Sequence, residues 1–297
     1  MTRILVLGAG GMLGHKLVQR LEPRFDVHGT LRADALPAGY DRVLDPQRTT
    51  LGVHVDRIET VERVLDELRP DVVVNAVGII KQRPDADQSG PTLAINGRFP
   101  HELAALCAPR GIRPIQISTD CVFSGARGGY VESDVPDPVD LYGRSKLEGE
   151  LHEPGTLTVR TSIVGRELRD AHGLFEWFIG NDGGAVRGFS RAIFSGLTTA
   201  ALADLIGDLI ERHPDLHGVW HASAEPIDKL SLLRRLAAAL AMTIEIDPDE
   251  SLVIDRSLDS TRLRDATGWS PPSWTAMLDA IAADATPYDA IRTGTTC

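Results

Sequence analysis

Cysteine is scarce in this 297-residue chain: Cys107, Cys121 and Cys297 are the only three, and no two stand at CxxC spacing. That pattern points away from a disulfide framework and from a thiolate metal site. The nine histidines show no ligand spacing either, with His213, His217 and His221 falling in a loop and a strand, so no catalytic metal is predicted. Basic residues are outnumbered, 31 against 42 acidic ones, for a net charge of −11. This argues against nucleic acid or an anionic membrane surface as the main partner. An anionic substrate would need a local cluster of Arg and Lys. No run approaches the ~20 apolar residues of a membrane span. The opening TRILVLGAGG is broken by glycine too early for a signal peptide. A soluble protein in a reducing cytoplasm is expected. With 42% hydrophobic and 25% charged residues the chain is ordinary for a globular protein. It is long enough for one large domain, or for a nucleotide-binding domain with a smaller partner.

Apolar runs of strand length alternate with segments of helical period. RILVLG (3–8), FDVHGT (25–30), GVHVD (52–56), DVVVNAVG (71–78), RPIQIS (113–118) and LTVRTS (157–162) read as strands. Helices are predicted through residue 22, over 58–68, near 92–109 and around Tyr142. The alternation of β and α with Val/Ile-rich runs predicts α/β architecture, a doubly wound parallel sheet covered on both faces. Residues 1–165 form this first domain. Beyond it the pattern loosens into a smaller α/β lobe, 166–297, with helices over 198–212, 228–241 and 274–284 and a short strand at 218–223. Part of this C-terminal segment could return to the first domain.

LGAGGMLGHKL places Gly8, Gly11 and Gly14 in G-x-x-G-x-x-G register between the first strand and first helix, with Met12 and Leu13 inside the turn. The three-glycine G-x-G-x-x-G form asks for Gly or Ala at 13, which is Leu13. Glycine suits a tight turn where a pyrophosphate must approach the backbone and a helix N-terminus offers unpaired N–H groups. A dinucleotide is therefore the expected cofactor. The second strand ends GTLRAD, with Arg32 ahead of Asp34. A guanidinium pairs bidentately with a 2′-phosphate, which favours NADP and leaves NAD open; a solvated surface arginine is the alternative.

Tyr142 and Lys146 stand four apart in LYGRSKLEGE, so both project from one helix face. Alone the pair is most often structural. Next to a nicotinamide cofactor it becomes a proton donor and a cation that lowers the phenol's pKa.

Together with the glycine loop, NAVG (75–78) and YGxSK, the STDCVFSG stretch (118–125) resembles the extended short-chain dehydrogenase/reductases. Within them it is most similar to dTDP-4-dehydrorhamnose reductase-like sugar-nucleotide reductases. The likeness covers residues 1–165 and continues weakly through SLDSTRLRDATGWSPPSW (257–274). It implies a Rossmann-type fold and NADP-dependent reduction of a keto group on a nucleotide-activated sugar. It further implies that Thr119 hydrogen-bonds the substrate carbonyl, Tyr142 is the proton donor and Lys146 binds the nicotinamide ribose. Asn75, Ala76 and Gly78 would border the cofactor. Asp56 would contact adenine, a helix N-cap being the other reading, and Asn96 matches a family asparagine, with a plain interior polar residue as the alternative. Thr119, Asp120, Cys121 and Val122 would line the sugar site. Two departures put the sugar's identity in doubt: Cys121 stands where the rhamnose enzymes have Tyr, and Ile163 where they have Trp. Arg160, Arg187 and Arg191 are candidates for a nucleotide diphosphate, with surface solvation as the alternative.

Two other functions fit the same motifs. One is an epimerase or dehydratase; dehydratases of the family usually carry a carboxylate pair after the catalytic Thr, whereas Asp120-Cys121 supplies one. The other is a non-catalytic regulatory subunit, since the β-subunit of methionine adenosyltransferase resembles this family. The sequence leaves the assembly open, a homodimer included.

Overall fold

A computed structural model describes residues 1–80, 89–169 and 171–293; Cys297 lies outside them. Seven parallel strands form the central sheet: β1 (Arg3–Leu7), β2 (Asp26–Thr30), β3 (Thr49–Thr50), β4 (Val72–Asn75), β5 (Arg113–Thr119), β6 (Leu157–Thr161) and, much later in the chain, β11 (Gly218–His221). Their order is β11-β6-β5-β4-β1-β2-β3, a Rossmann-type arrangement. The period-2 geometry of strands explains why RILVL is apolar throughout. Ile4 and Val6 enter one hydrophobic cluster, with Leu17 and Leu21 of α1 (Gly14–Leu21). Leu5 and Leu7 enter the other, with Val61 and Leu65 of α2 (Ile58–Leu68). Each such side chain contributes about 1.5–3 kcal/mol by leaving water, and both faces are covered.

Between β4 and β5 the chain is helical in three joined pieces: α3 (Ser89–Thr92), a π-helical turn (Leu93–Arg98) and α4 (Phe99–Cys107). Pro100 has no N–H to give the Asn96 carbonyl, and the helix widens there. Helix α5 (Leu141–Glu148) leads to β6.

The rest forms small sheets and helices. β7 (Ile163–Val164) pairs with β10 (Leu197–Thr198). β8 (Ala185–Phe189) pairs with β13 (Glu245–Asp249). β9 (Ala192–Phe194) lies between β12 (Ile227–Asp228) and β14 (Ile254–Asp255). Helices α6 (Leu174–Ile179), α7 (Thr199–Arg212), α8 (Lys229–Ala239), α9 (Thr261–Thr267), α10 (Trp274–Ala282) and α11 (Tyr288–Thr293) complete the described chain.

Two strand expectations are corrected. GVHVD is not a strand: Gly52 takes φ +67°, a left-handed conformation that ends the extended run, and the third strand is Thr49–Thr50. GVWHAS, expected in the smaller lobe, supplies β11, which pairs in parallel with β6 at the edge of the central sheet. Among the described residues no helix is long and apolar enough to cross a membrane.

Candidate active site

The glycine register follows from crowding around one carbonyl. A Cβ on Gly14 would lie 2.0 Å from the Gly8 oxygen, and one on Gly11 would lie 3.3 Å from it. The Gly11 amide donates to that same oxygen at 3.0 Å. Gly8 itself has φ +80°, and its Cβ would meet Val77 at 2.9 Å. Gly8, Gly11 and Gly14 are thus the residues that let the β1–α1 turn fold on itself. Leu13 is buried and serves as the N-cap of α1, with no side-chain cap bond, while Met12 is half-buried. A helix start that its own side chains leave uncapped, behind a backbone-only turn, fits a pyrophosphate. Arg32 and Asp34 are exposed just beyond β2. Asp56 is exposed in a turn, and the N-cap of α2 is Arg57, which excludes the capping alternative for Asp56.

Asn75 is spent on one side-chain and one backbone partner. It donates to Gln116 Oε1 at 2.8 Å and accepts from the Val77 amide at 3.1 Å, shaping the end of β4 from which Ala76 and Gly78 follow. Asn96, fully buried on the π-helical turn, closes a two-bond ring on Ile79, accepting its N–H and donating to its carbonyl, both at 2.9 Å. Its amide also donates to Ser145 Oγ at 3.1 Å, tying this turn to α5.

Thr119 closes β5 and caps the short 3₁₀ turn Asp120–Val122, accepting from the Cys121 amide at 3.1 Å. Tyr142 lies in the first turn of α5, capped by Asp140, which accepts the Gly143 amide at 2.7 Å. A Cβ on Gly143 would lie 2.2 Å from the Cys121 carbonyl, and one on Gly149 would lie 2.0 Å from that of Asn96. Glycines therefore let α5 sit against the turn after Thr119 at one end and the π-helical turn at the other. This close approach sets the buried Tyr142 phenol beside Thr119, Asp120 and Cys121.

Burial raises the pKa of Tyr142, and Cys121, Asp120 and Asp140 push it the same way. Lys146 is tied to the neighbouring strand. Its Nζ donates to the Ile117 carbonyl at 2.6 Å, and burial lowers its own pKa to about 8. The ammonium is thus turned onto β5.

Asp120 is buried and its pKa raised, opposed by the charges of Lys229 and Arg256. Arg256 donates to the Phe123 carbonyl at 3.0 Å and reaches Cys121 Sγ at 3.6 Å. Lys229 sits 3.5 Å over the Phe194 ring, its pKa lowered to about 8 by burial. Burial pushes the Cys121 thiol up to about 12, a neutral filler rather than a nucleophile. Val122 faces away into a small cluster with Phe123, Tyr130 and Leu258.

Arg160 is not on the surface. Its guanidinium makes two bonds to Glu150, at 2.8 and 2.7 Å, both side chains being almost fully buried, and Ser118 donates to the same carboxylate at 2.6 Å. Arg187 pairs with Asp249 at 3.1 Å in a largely exposed position, and Arg191 is exposed. The basic residues beside Asp120 are Lys229 and Arg256 instead. Their only sequence signal is local: Lys229 follows the α8 cap Asp228, and Arg256 precedes SLDS. Among the described residues no three His, Cys, Asp or Glu group as a metal site would require.

A family model described as the RmlD substrate binding domain matches residues 1–286. The chain is 35% identical over 172 residues to dTDP-4-keto-6-deoxy-D-glucose reductase of Streptomyces niveus, covering 55% of this chain and 54% of that protein. It is 33% identical over 171 residues to methionine adenosyltransferase 2 subunit beta of Danio rerio, covering 56% and 49%. The chain spans about half the length of these curated relatives. The structure of dTDP-4-dehydrorhamnose reductase from Bacillus anthracis str. Ames in complex with NADP superposes with a TM-score of 0.77 at 23% identity, over 96% of this chain and all of that one. That likeness bears on the fold, and it agrees with the Rossmann-type sheet. On the match across residues 1–286, the chain belongs to the RmlD substrate binding domain family.

Proposed function

We propose that the chain is an NADP-dependent oxidoreductase that reduces a keto group on a nucleotide-activated sugar. One observation carries this reading: Tyr142, Thr119 and Lys146 converge at the carboxyl end of β5, two strands from the glycine turn that follows β1. Ligands of open α/β sheets bind along that edge. Gly8, Gly11, Met12, Leu13 and Gly14 would hold the pyrophosphate of the dinucleotide, Arg32 its 2′-phosphate and Asp56 its adenine. Asn75, Ala76 and Gly78 would border its path, and Tyr142 and Lys146 its nicotinamide ribose. When bound, the cofactor supplies the hydride to the keto carbon. Tyr142, whose raised pKa keeps it a phenol at neutral pH, supplies the proton that the carbonyl oxygen takes up. Thr119 holds that oxygen. Lys229 and Arg256 place positive charge on the Asp120 side of the site, as an anionic sugar nucleotide would need. The smaller lobe, from residue 166 onward apart from β11 and the helices packed on the first domain, would carry the substrate. The Streptomyces niveus relative, named a keto-sugar reductase, supports the substrate class.

The similarity to methionine adenosyltransferase 2 subunit beta favours a second reading, a regulatory subunit that binds the dinucleotide without turnover. The purified chain, assayed for NADPH oxidation against a panel of 4-keto nucleotide sugars, separates them. Turnover that falls by about 10²–10⁴ in Tyr142→Phe supports the reductase. NADPH binding with no turnover on any sugar supports the regulatory reading. Sugar interconversion by enzyme that retains its cofactor through purification would indicate an epimerase.

A further inference from the structure

Helix α11 reaches back across the molecule to the glycine turn by three routes. His15, fully buried in α1, places Nδ1 2.8 Å from the Gly11 carbonyl and Nε2 3.0 Å from the Tyr288 hydroxyl. A carbonyl only accepts, so Nδ1 carries the proton. Burial lowers the pKa of His15 to about 4, leaving the ring neutral with Nε2 as an acceptor. The Tyr288 hydroxyl also lies 2.9 Å from Asp284 Oδ2, the carboxylate that pairs with Lys16 at 2.6 Å, so its one proton stands between two acceptors. On a second route, a Cβ on Gly39 would lie 3.1 Å from the Ile291 Cα, and the neighbouring Tyr40 ring packs so that a Cβ on Gly10 would lie 3.0 Å from it. On the third, Arg292 pairs at 2.6 Å with Glu176, whose carboxylate accepts the Glu167 amide at 2.9 Å. Glu167 in turn accepts from Gly173, where a Cβ would lie 3.0 Å from Met12 Cε.

Gly10, Gly11 and Met12 are consecutive: Gly11 is bonded to α11 through His15 and Tyr288, and Gly10 and Met12 lie close beside residues that Ile291 and Arg292 support. We propose that α11 is a positioning element of the dinucleotide cradle, with Tyr288 acting through His15 to fix the Gly11 carbonyl and so aim the turn's amides at the pyrophosphate. The family match ends at residue 286, so Tyr288, Ile291 and Arg292 lie beyond it. The inference rests on the cofactor reading of the glycine turn.

The test is NADPH affinity of the full chain, measured by nicotinamide fluorescence well below the melting temperature, for wild type, Tyr288→Phe and His15→Gln. Phenylalanine keeps the ring on which Arg166 stacks at 4.6 Å and removes only the hydroxyl. A lost hydrogen bond is worth roughly 0.5–1.5 kcal/mol, so Kd should rise about 3- to 10-fold. The loss should appear in Kd and in KM for NADPH, with KM for the keto-sugar unmoved. Lower melting temperatures with NADPH Kd within about twofold of wild type in both variants would make the contact purely structural and overturn the inference alone. A wild-type chain that binds neither NADPH nor NADH would overturn the cofactor reading, and this inference with it.

Discussion

Lys146 donates its ammonium to the carbonyl of Ile117 at 2.6 Å, two residues before Thr119 on the same strand. The bond turns the cation toward the sheet and fixes the height of α5 against β5. It also holds a charge where burial disfavours it. The pKa of Lys146 falls from 10.5 to about 8, so the unfolded chain binds more protons than the native one between those values. Stability carried by this residue therefore rises as pH climbs through 8 and is least below it.

Lys146→Met should accordingly melt higher than wild type at pH 6–7, with the gain narrowing as pH rises from 8 toward 10.5. The same variant should bind NADPH more weakly and lose turnover. Thermal melts of both proteins across pH 6–10, without cofactor, provide the check. A variant that melts lower at pH 7 would mean that the bond to Ile117 outweighs the cost of burying the charge.

Glu150 and Arg160 present the opposite case. Removing one partner of a buried pair leaves an uncompensated charge and costs about 3–5 kcal/mol. Glu150→Gln should therefore strip much of the stability from a domain with a typical total of about 5–15 kcal/mol. Glu150→Leu combined with Arg160→Met should recover a large part of it. Urea titrations of the single and double variants measure the difference. Equal loss in both would mean that the bond from Ser118, not the ion pair, is what the site requires.

Arg32 should set cofactor preference. A charge-assisted contact to a 2′-phosphate is worth about 1.5–3 kcal/mol. Exposure of the side chain places Arg32 at the lower end, roughly tenfold in affinity. Asp34 is exposed two residues on, and its negative charge should blunt the preference. Arg32→Ala should lose most NADPH-over-NADH discrimination in kcat/KM, chiefly through NADPH. An unchanged ratio would return Arg32 to the solvated surface.

The parts of this site that were legible in the sequence are those whose partners are close in the chain or whose backbone demands are local. The Gly8-Gly11-Gly14 register could be read because each glycine answers to one turn, and Tyr142 and Lys146 because a helix brings fourth neighbours together. Arg160 was misread because its partner, Glu150, is reached only once α5 and β6 are packed; an arginine amid LTVRTS was the available sign, since a central strand buries both faces. The β11 strand joins the sheet about sixty residues after β6, and nothing in GVWHAS states which sheet it will extend. The His15–Tyr288 contact spans 273 residues and has no local signature at all.

The glycine after Tyr142 lends itself to the sharpest local test. A methyl group at position 143 would lie 2.2 Å from the Cys121 carbonyl and 3.0 Å from Pro138 Cβ, and a backbone carbonyl cannot swing aside as a flexible side chain would. Gly143→Ala must then push the start of α5 off the Asp120–Val122 turn. The helix itself should tolerate the change, since alanine is the better helix former by about 1 kcal/mol. Overpacking of this kind costs typically about 1–3 kcal/mol, and its geometric effect falls on the Tyr142–Thr119 approach. Displacing a catalytic group by about 1 Å can cost on the order of 10²-fold in rate. Gly143→Ala should therefore lose turnover far beyond its loss of stability while keeping NADPH affinity at the glycine turn. Turnover near wild type in a folded variant would show that Tyr142 does not depend on this close approach, and the role given to Gly143 would fall.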